Sequence, residues 1–332
     1  MTSFLDLLRE DKKITFLLGA GSSVSAGFPT DTQLRDNVAD YMLNENIIKN
    51  FEAVGFTKED CLEFRTRLIR GGYSTIDELI NSFTKYAVLG KMAILRCILA
   101  HEDLSNNDTF FSNKHWYMPF FLTIQKEGLI HKLSNVTFIT LNYDRSLQHF
   151  IHEFSLNRGI SHKPKILHLH GRLPPLQFEI QESHSLPYGD YNLDGHALHK
   201  HATGINSLAD IHDDNEHYEQ ARNIIRRSNY LFIMGFGFHE PIVERLNLKE
   251  MNLRNLQVYS LSIGLKATLF DAYPEFNFYD SSIFCTDFAK NLNEDIDANL
   301  EQSANGQRNS RTGVFYSNQD DYDSNDYDFY ES

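Results

Sequence analysis

Apolar positions along this chain fall into two regimes. Five short runs, at residues 14–18, 136–141, 165–169, 230–234 and 257–263, are mostly apolar, and four of them stop abruptly at small, polar or turn-forming residues. Such runs mark strands buried on both faces of a parallel sheet. Between the first and second runs the spacing becomes helical. Leu34, Val38, Tyr41 and Met42 recur at three and four, as do Ile76, Leu79, Ile80 and Phe83, and later Met92, Leu95, Ile98 and Leu99. Gly71-Gly72 and residues 104–108 read as loops between helices. A leading helix is expected over 2–12, with Phe4, Leu5, Leu7 and Leu8 on its apolar side, and another over 216–227. About a hundred mostly helical residues are too many for one crossover between strands. The pattern therefore predicts a doubly wound, Rossmann-like α/β fold with a mainly parallel sheet. Residues 1–30 and 134–300 form this discontinuous domain, 31–133 form a helical insert, and 301–332 form an acidic, disordered tail without apolar periodicity.

Composition narrows the class. The 332 residues are 41% hydrophobic and 13% aromatic, enough for a sizeable core. The net charge of −14 argues against nucleic acid or an anionic membrane as a partner. Much of that charge sits at the end, where residues 287–332 hold 11 acidic and 3 basic side chains. No charge-free apolar run of spanning length and no secretory leader pattern is present, so a soluble cytoplasmic protein is expected. Cys61, Cys97 and Cys285 are scattered and form neither a disulfide framework nor a thiolate zinc site. Cys61 and Cys97 fall on helical patterns and read as packing residues.

The first strand ends in Gly19-Ala20-Gly21-Ser22-Ser23. Glycines at such a turn allow close backbone approach, and N–H groups at a following helix start suit a pyrophosphate; plain turn punctuation explains the same residues. No Gly-Lys-Ser/Thr ending follows, which disfavours a nucleotide triphosphatase. Asp40 and Glu45 stand where a dehydrogenase carries its ribose-binding acid, but in a helical stretch, which disfavours hydride transfer. The second strand ends in Asn142-Tyr143-Asp144, the third delivers His170-Gly171, and the fourth ends in Gly235-Phe236-Gly237. In an open parallel sheet these ends line one crevice. Histidines 184, 196, 199, 201 and 212 raise a metal reading that the absence of nearby cysteine does not support, so no metal is expected.

These motifs resemble those of the sirtuins. Gly19-Ala20-Gly21-Ser22-Ser23 with Ala26-Gly27-Phe28-Pro29 is similar to the family's Gly-Ala-Gly-x-Ser … Ala-Gly-Ile-Pro loop, and Thr140-Leu141-Asn142-Tyr143-Asp144 to its Thr-Gln-Asn-Ile-Asp motif. His170-Gly171 matches the His-Gly motif, and Gly235-Phe236-Gly237 with Pro241 stands where sirtuins carry Gly-Thr-Ser … Pro. The helical insert is not covered. Two departures matter: the Cys-x-x-Cys zinc module is missing, and Thr30-Asp31-Thr32 replaces Asp-Phe-Arg. Both depart from deacylases and resemble the sirtuin-like domains of bacterial anti-phage systems, for which the implied activity is NAD⁺ hydrolysis.

On that resemblance NAD⁺ is the substrate, released as nicotinamide and ADP-ribose. Gly19, Ala20, Gly21, Ser22, Ser23 and Pro29 would bind it, with Gly235, Phe236 and Gly237 approaching the adenosine side. Asn142 would hold the ribose or the attacking water, and His170 would be the general base, since imidazole titrates near neutrality. Asp144 would bond a ribose hydroxyl or orient Asn142. The alternatives are that Asn142 and Asp144 cap the helix starting near Arg145, and that His170 is a core histidine. His168 shares a strand face with His170 and competes for its role. Depleting NAD⁺ would kill a host, so the resemblance implies restraint by a homo-oligomer or by a partner such as a HerA-type ATPase. The competing functions are a non-catalytic NAD or ADP-ribose binding module, and a protein deacylase or ADP-ribosyltransferase.

Overall fold

Ile14–Leu18 is buried along its whole length, as a central strand with neighbours on both sides must be. It is β1 of a six-stranded sheet in the computed structural model, which describes residues 2–102, 114–180, 185–189, 192–206, 210, 215–251, 253–298 and 300. The others are β2 (Val136–Thr140), β3 (Lys165–His168), β4 (Tyr230–Met234), β5 (Gln257–Leu261) and β6 (Asn277–Tyr279). All pairings are parallel, in the order β3-β2-β1-β4-β5-β6. The expected tail at 301–332, the expected loop at 104–108, and His184 and His212 lie outside the described residues.

The alternation of β1 sorts its side chains onto two faces. Ile14, Phe16 and Leu18 join an aromatic layer built with the helices Phe4–Arg9, Tyr117–Lys126, Ser146–Arg158 and Cys285–Lys290. Leu17 joins Ile139, Leu231 and Ile233 against the helices Glu216–Arg226 and Glu240–Arg245. In-register pairing places Phe16 beside Phe138 and Phe232, with ring centroids at 5.1 and 5.3 Å. Emptying such a site by Phe16→Ala costs about 3–5 kcal/mol.

The leading helix is shorter than expected. Ser3 caps it by accepting the Asp6 N–H at 3.2 Å while the Asp6 carboxylate accepts the Ser3 N–H at 3.0 Å, and it ends at Arg9. The second, third and fifth strands stop one or two residues early, where the chain turns into the loops. The sixth strand was not foreseen; three residues are too few to show a period.

Between β1 and β2 the described chain is helical, including Asp31–Tyr41, Glu45–Glu52, Lys58–Arg70, Ile76–Ser82 and Ala87–Ala100. Their buried faces form a third core that also takes in Leu173, Leu176, Leu198 and Ile205 from beyond β3. The helix Tyr117–Lys126 packs instead in the aromatic layer under the sheet. Among the described residues no helix is long and apolar enough to cross a membrane.

Candidate active site at the carboxyl ends of the strands

The connections after β1 and β4 leave the sheet at its topological switch point, and there the two loops touch. The Gly19 N–H donates to the Met234 carbonyl and the Gly21 N–H to the Gly235 carbonyl, both at 3.0 Å. A Cβ on Gly19 would stand 2.4 Å from the Gly235 oxygen, and one on Gly235, whose φ is +64°, would stand 2.1 Å from the Ser22 nitrogen. These glycines are therefore required for two backbones to meet, in addition to any approach by a ligand. The buried Trp116 indole N–H donates to the Ser22 carbonyl at 2.9 Å and fixes the loop from below.

The loop does not open into a long helix. It continues as two 3₁₀ turns, Ala20–Ser22 and Val24–Ala26, so the helix-start field expected for an anion is largely missing. The Ser22 and Ser23 N–H groups are also spent, on the Gly19 and Ala20 carbonyls. Ala20, whose N–H takes part in none of these bonds, lines a cavity of about 280 Å³.

That cavity gathers most of the expected residues. Gly19, Ala20, Ser23, Pro29, Asn142, Asp144, His170, Gly235, Phe236 and Gly237 all line it; Gly21 and Ser22 do not. Asn142 Nδ2 donates to the Gly19 carbonyl at 3.1 Å and to Ser23 Oγ at 2.8 Å, which leaves Oδ1 with no partner among the described residues. Ser23 Oγ in turn donates to Asp144 Oδ2 at 2.8 Å. The other Asp144 oxygen accepts from the Ser146 N–H at 3.0 Å and from the Ser146 hydroxyl, at the start of the helix Ser146–Arg158. Asp144 thus satisfies the first N–H of the helix whose N-cap is Arg145, and is linked through Ser23 to Asn142. Burial pushes its carboxyl above the usual range, with the Ser146 and Ser23 hydroxyls opposing.

His170 Nε2 lies 2.7 Å from the Tyr218 hydroxyl, and burial pushes the imidazole down to about 4. It is therefore neutral at pH 7, able to accept a proton but a weaker base than an exposed histidine. His168 opens on a different cavity. Its Nδ1–H donates to the Asn142 carbonyl at 3.0 Å, and its Nε2 contacts the Gln148 amide.

Several lining residues carried no motif in the sequence. Asp31, Ser74, Thr75 and Asp77 come from the helical layer, and His239 follows β4. Asp31 is open to solvent yet crowded by protein, and that crowding raises its carboxyl above the ordinary range. The Tyr143 hydroxyl is 3.4 Å from both an Asp77 oxygen and the Asn206 carbonyl. Among the described residues no lysine or arginine lines the cavity, so a pyrophosphate here would rely on neutral donors among them. Arg145, next to Asp144, is buried in an ion pair with Glu102 and donates to the Pro174 and Leu186 carbonyls at 2.7 and 2.9 Å, which ties the irregular segment after β3 to the site. Among the described residues no group of three or more histidine, cysteine or acidic side chains is placed to hold a metal ion. His196 and His199 stand exposed on the helix Gly195–Ala202.

Strand order and crevice together define a doubly wound, Rossmann-like α/β protein with its candidate site at the switch point. No protein-family model matches the sequence, and no curated protein matches it. Solved structures similar to this chain include a Sir2 mutant with a p53 peptide and NAD, at 16% identity, covering 87% of this chain and 95% of that one, with a TM-score of 0.37. A Sir2 homologue mutant in complex with ADP-ribose is 12% identical, over 88% of this chain and 95% of that one, with a TM-score of 0.39.

Proposed function

We propose that this chain binds NAD⁺ in the switch-point cavity and hydrolyses the nicotinamide–ribose bond. The observation that carries the reading is the Asn142 side chain, held by its Nδ2 so that Oδ1 remains to accept from a ribose hydroxyl or a water. In the reaction, water oxygen bonds to the ribose C1′ as the C1′–N bond breaks. The bonding pair leaves on nicotinamide, whose ring loses its positive charge, and the water proton passes to the neutral His170 imidazole. Asn142 orients without titrating. Gly19, Ala20, Ser23 and Pro29 bound the dinucleotide on the β1 side, and Gly235, Phe236 and Gly237 on the β4 side; Gly21 and Ser22 support the loop from behind. The motif resemblance favours a role as an effector of bacterial anti-phage defence, restrained by self-assembly or by a partner such as a HerA-type ATPase.

A binding module that holds NAD⁺ or ADP-ribose without cleaving it is the second reading, favoured by the weak basicity that burial gives His170. Chromatography of purified chain incubated with NAD⁺, with and without an acetylated peptide, separates the readings. The expected result is nicotinamide release without peptide, abolished in Asn142→Ala and in His170→Ala. Bound but intact NAD⁺, with the activating partner supplied, would leave the binding module standing; release only with peptide would point to a deacylase or ADP-ribosyltransferase.

A further inference from the structure

A second cavity, of about 430 Å³, opens beside β3. Its floor is apolar, from Ile151, Ile166 and Leu167, and its rim carries Lys163, Arg172, His152 and His217. Glu179 is the one carboxylate in the lining among the described residues. Both its oxygens accept from Arg172 Nη1, at 2.7 and 2.8 Å, and one also accepts the Leu176 N–H at 2.8 Å. Arg172 Nη2 and Nε have no partner among the described residues, and Lys163 pairs with no carboxylate among them. Lys163 is close enough to His152, and Arg172 to His168, for each cation to oppose protonation of that imidazole. The His152 and Phe178 rings stack face to face, with centroids 3.6 Å apart and planes 4° apart, and Phe178 is 42% exposed. An aromatic platform beside unpaired cationic donors is the chemistry that holds a base and its phosphate together.

His168 lines this cavity and is hydrogen-bonded to the backbone of Asn142, which lines the first. Its Nδ1–H is donated to the Asn142 carbonyl, and the Gln148 amide engages its Nε2, so both ring nitrogens are committed and the ring has one orientation. Displacing His168 or the end of β3 therefore moves the backbone that carries Asn142.

We propose that this second cavity is an effector site for a phosphate-bearing nucleotide, coupled to the switch-point cavity through His168. Its binding half stands apart from the hydrolase reading; only the coupling rests on NAD⁺ occupying the first cavity. The test is calorimetric titration of the full chain with AMP and with inorganic phosphate, using wild type, Lys163→Ala, Arg172→Ala and Asn142→Ala. AMP should bind wild type and Asn142→Ala alike, with Kd raised about tenfold or more in Lys163→Ala and Arg172→Ala. Lys163 is exposed, so its variant should keep the native circular dichroism spectrum, which secures the comparison if Arg172→Ala unfolds. No heat with AMP would overturn the proposal. So would AMP binding that is lost in Asn142→Ala but kept in Lys163→Ala, which puts the nucleotide in the first cavity. Phosphate binding as tightly as AMP would overturn the nucleotide assignment. Saturating AMP should shift the Kd for NAD⁺ by about fivefold or more; an unchanged Kd overturns the coupling, whether or not nicotinamide is ever released.

Discussion

Ser23 Oγ donates to Asp144 Oδ2 at 2.8 Å, and so a side chain from the loop after β1 is locked to one after β2. The same oxygen accepts from Asn142 Nδ2 at 2.8 Å. Three residues from two strand ends thereby form one rigid unit, with the Asn142 amide as its working end.

Removing the middle member tests that unit. Ser23→Ala leaves Asp144 buried with one hydrogen bond fewer and leaves the Asn142 amide only its longer bonds, to the Gly19 carbonyl at 3.1 Å and Ser22 Oγ at 3.4 Å. Stability should fall by about 1–3 kcal/mol in urea unfolding. Nicotinamide release should fall by roughly 10–100-fold in kcat, because the Asn142 side chain loses its orientation, and KM should rise as well, because Ser23 itself lines the cavity.

The meeting of the two glycine loops allows little substitution. Gly235→Ala puts a Cβ against the Ser22 backbone at a left-handed φ, and both must shift. A cost of about 1–3 kcal/mol from the backbone alone is expected, together with loss of NAD⁺ affinity by titration. Gly237→Ala is the control for stability, since a Cβ there meets no protein atom within 4 Å.

The Arg145–Glu102 pair is fully buried, and Arg145 also satisfies carbonyls of Pro174, Leu186 and Pro187. Arg145→Met should cost about 3–5 kcal/mol, because it strands a buried carboxylate and two or more carbonyls. Hydrogen exchange should show residues 173–180 and 185–189 opening first. Adding Glu102→Met should recover part of the loss, since the stranded charge is then gone.

Acid should destabilise the fold early. Burial lowers His115, His149 and His170 to about 4 and His168 to about 3, from 6.5. The unfolded chain therefore takes up these protons first. The stability conferred by neutral burial is complete above pH 6.5 and is lost as the pH falls toward 4, at about 1.4 kcal/mol per pH unit for each group. Thermal melts across that window should show the midpoint dropping as the pH falls below 6.5. By the same reasoning kcat should show no limb near 6.5 and should fall only as the pH approaches that of His170.

The sequence determined five of the six described strands and the cavity-facing ends of most of them, because a buried parallel strand must be apolar throughout and must end in residues that can turn. Asn142, Asp144, His170 and the Gly235–Gly237 segment were legible for that reason, and all line the cavity. The tertiary structure alone decided how those ends are used. Gly21 faces a second loop instead of the cavity, Ser23 became the link between Asn142 and Asp144, and burial took His170 out of the neutral titration range. It also brought Asp31 and Asp77 to the rim from helices whose periodicity reports only their inward faces. Periodicity records which side of an element is covered; it carries no information about which distant backbone covers it, and both the pairing of glycine loops and the desolvation of an imidazole are set by that distant partner.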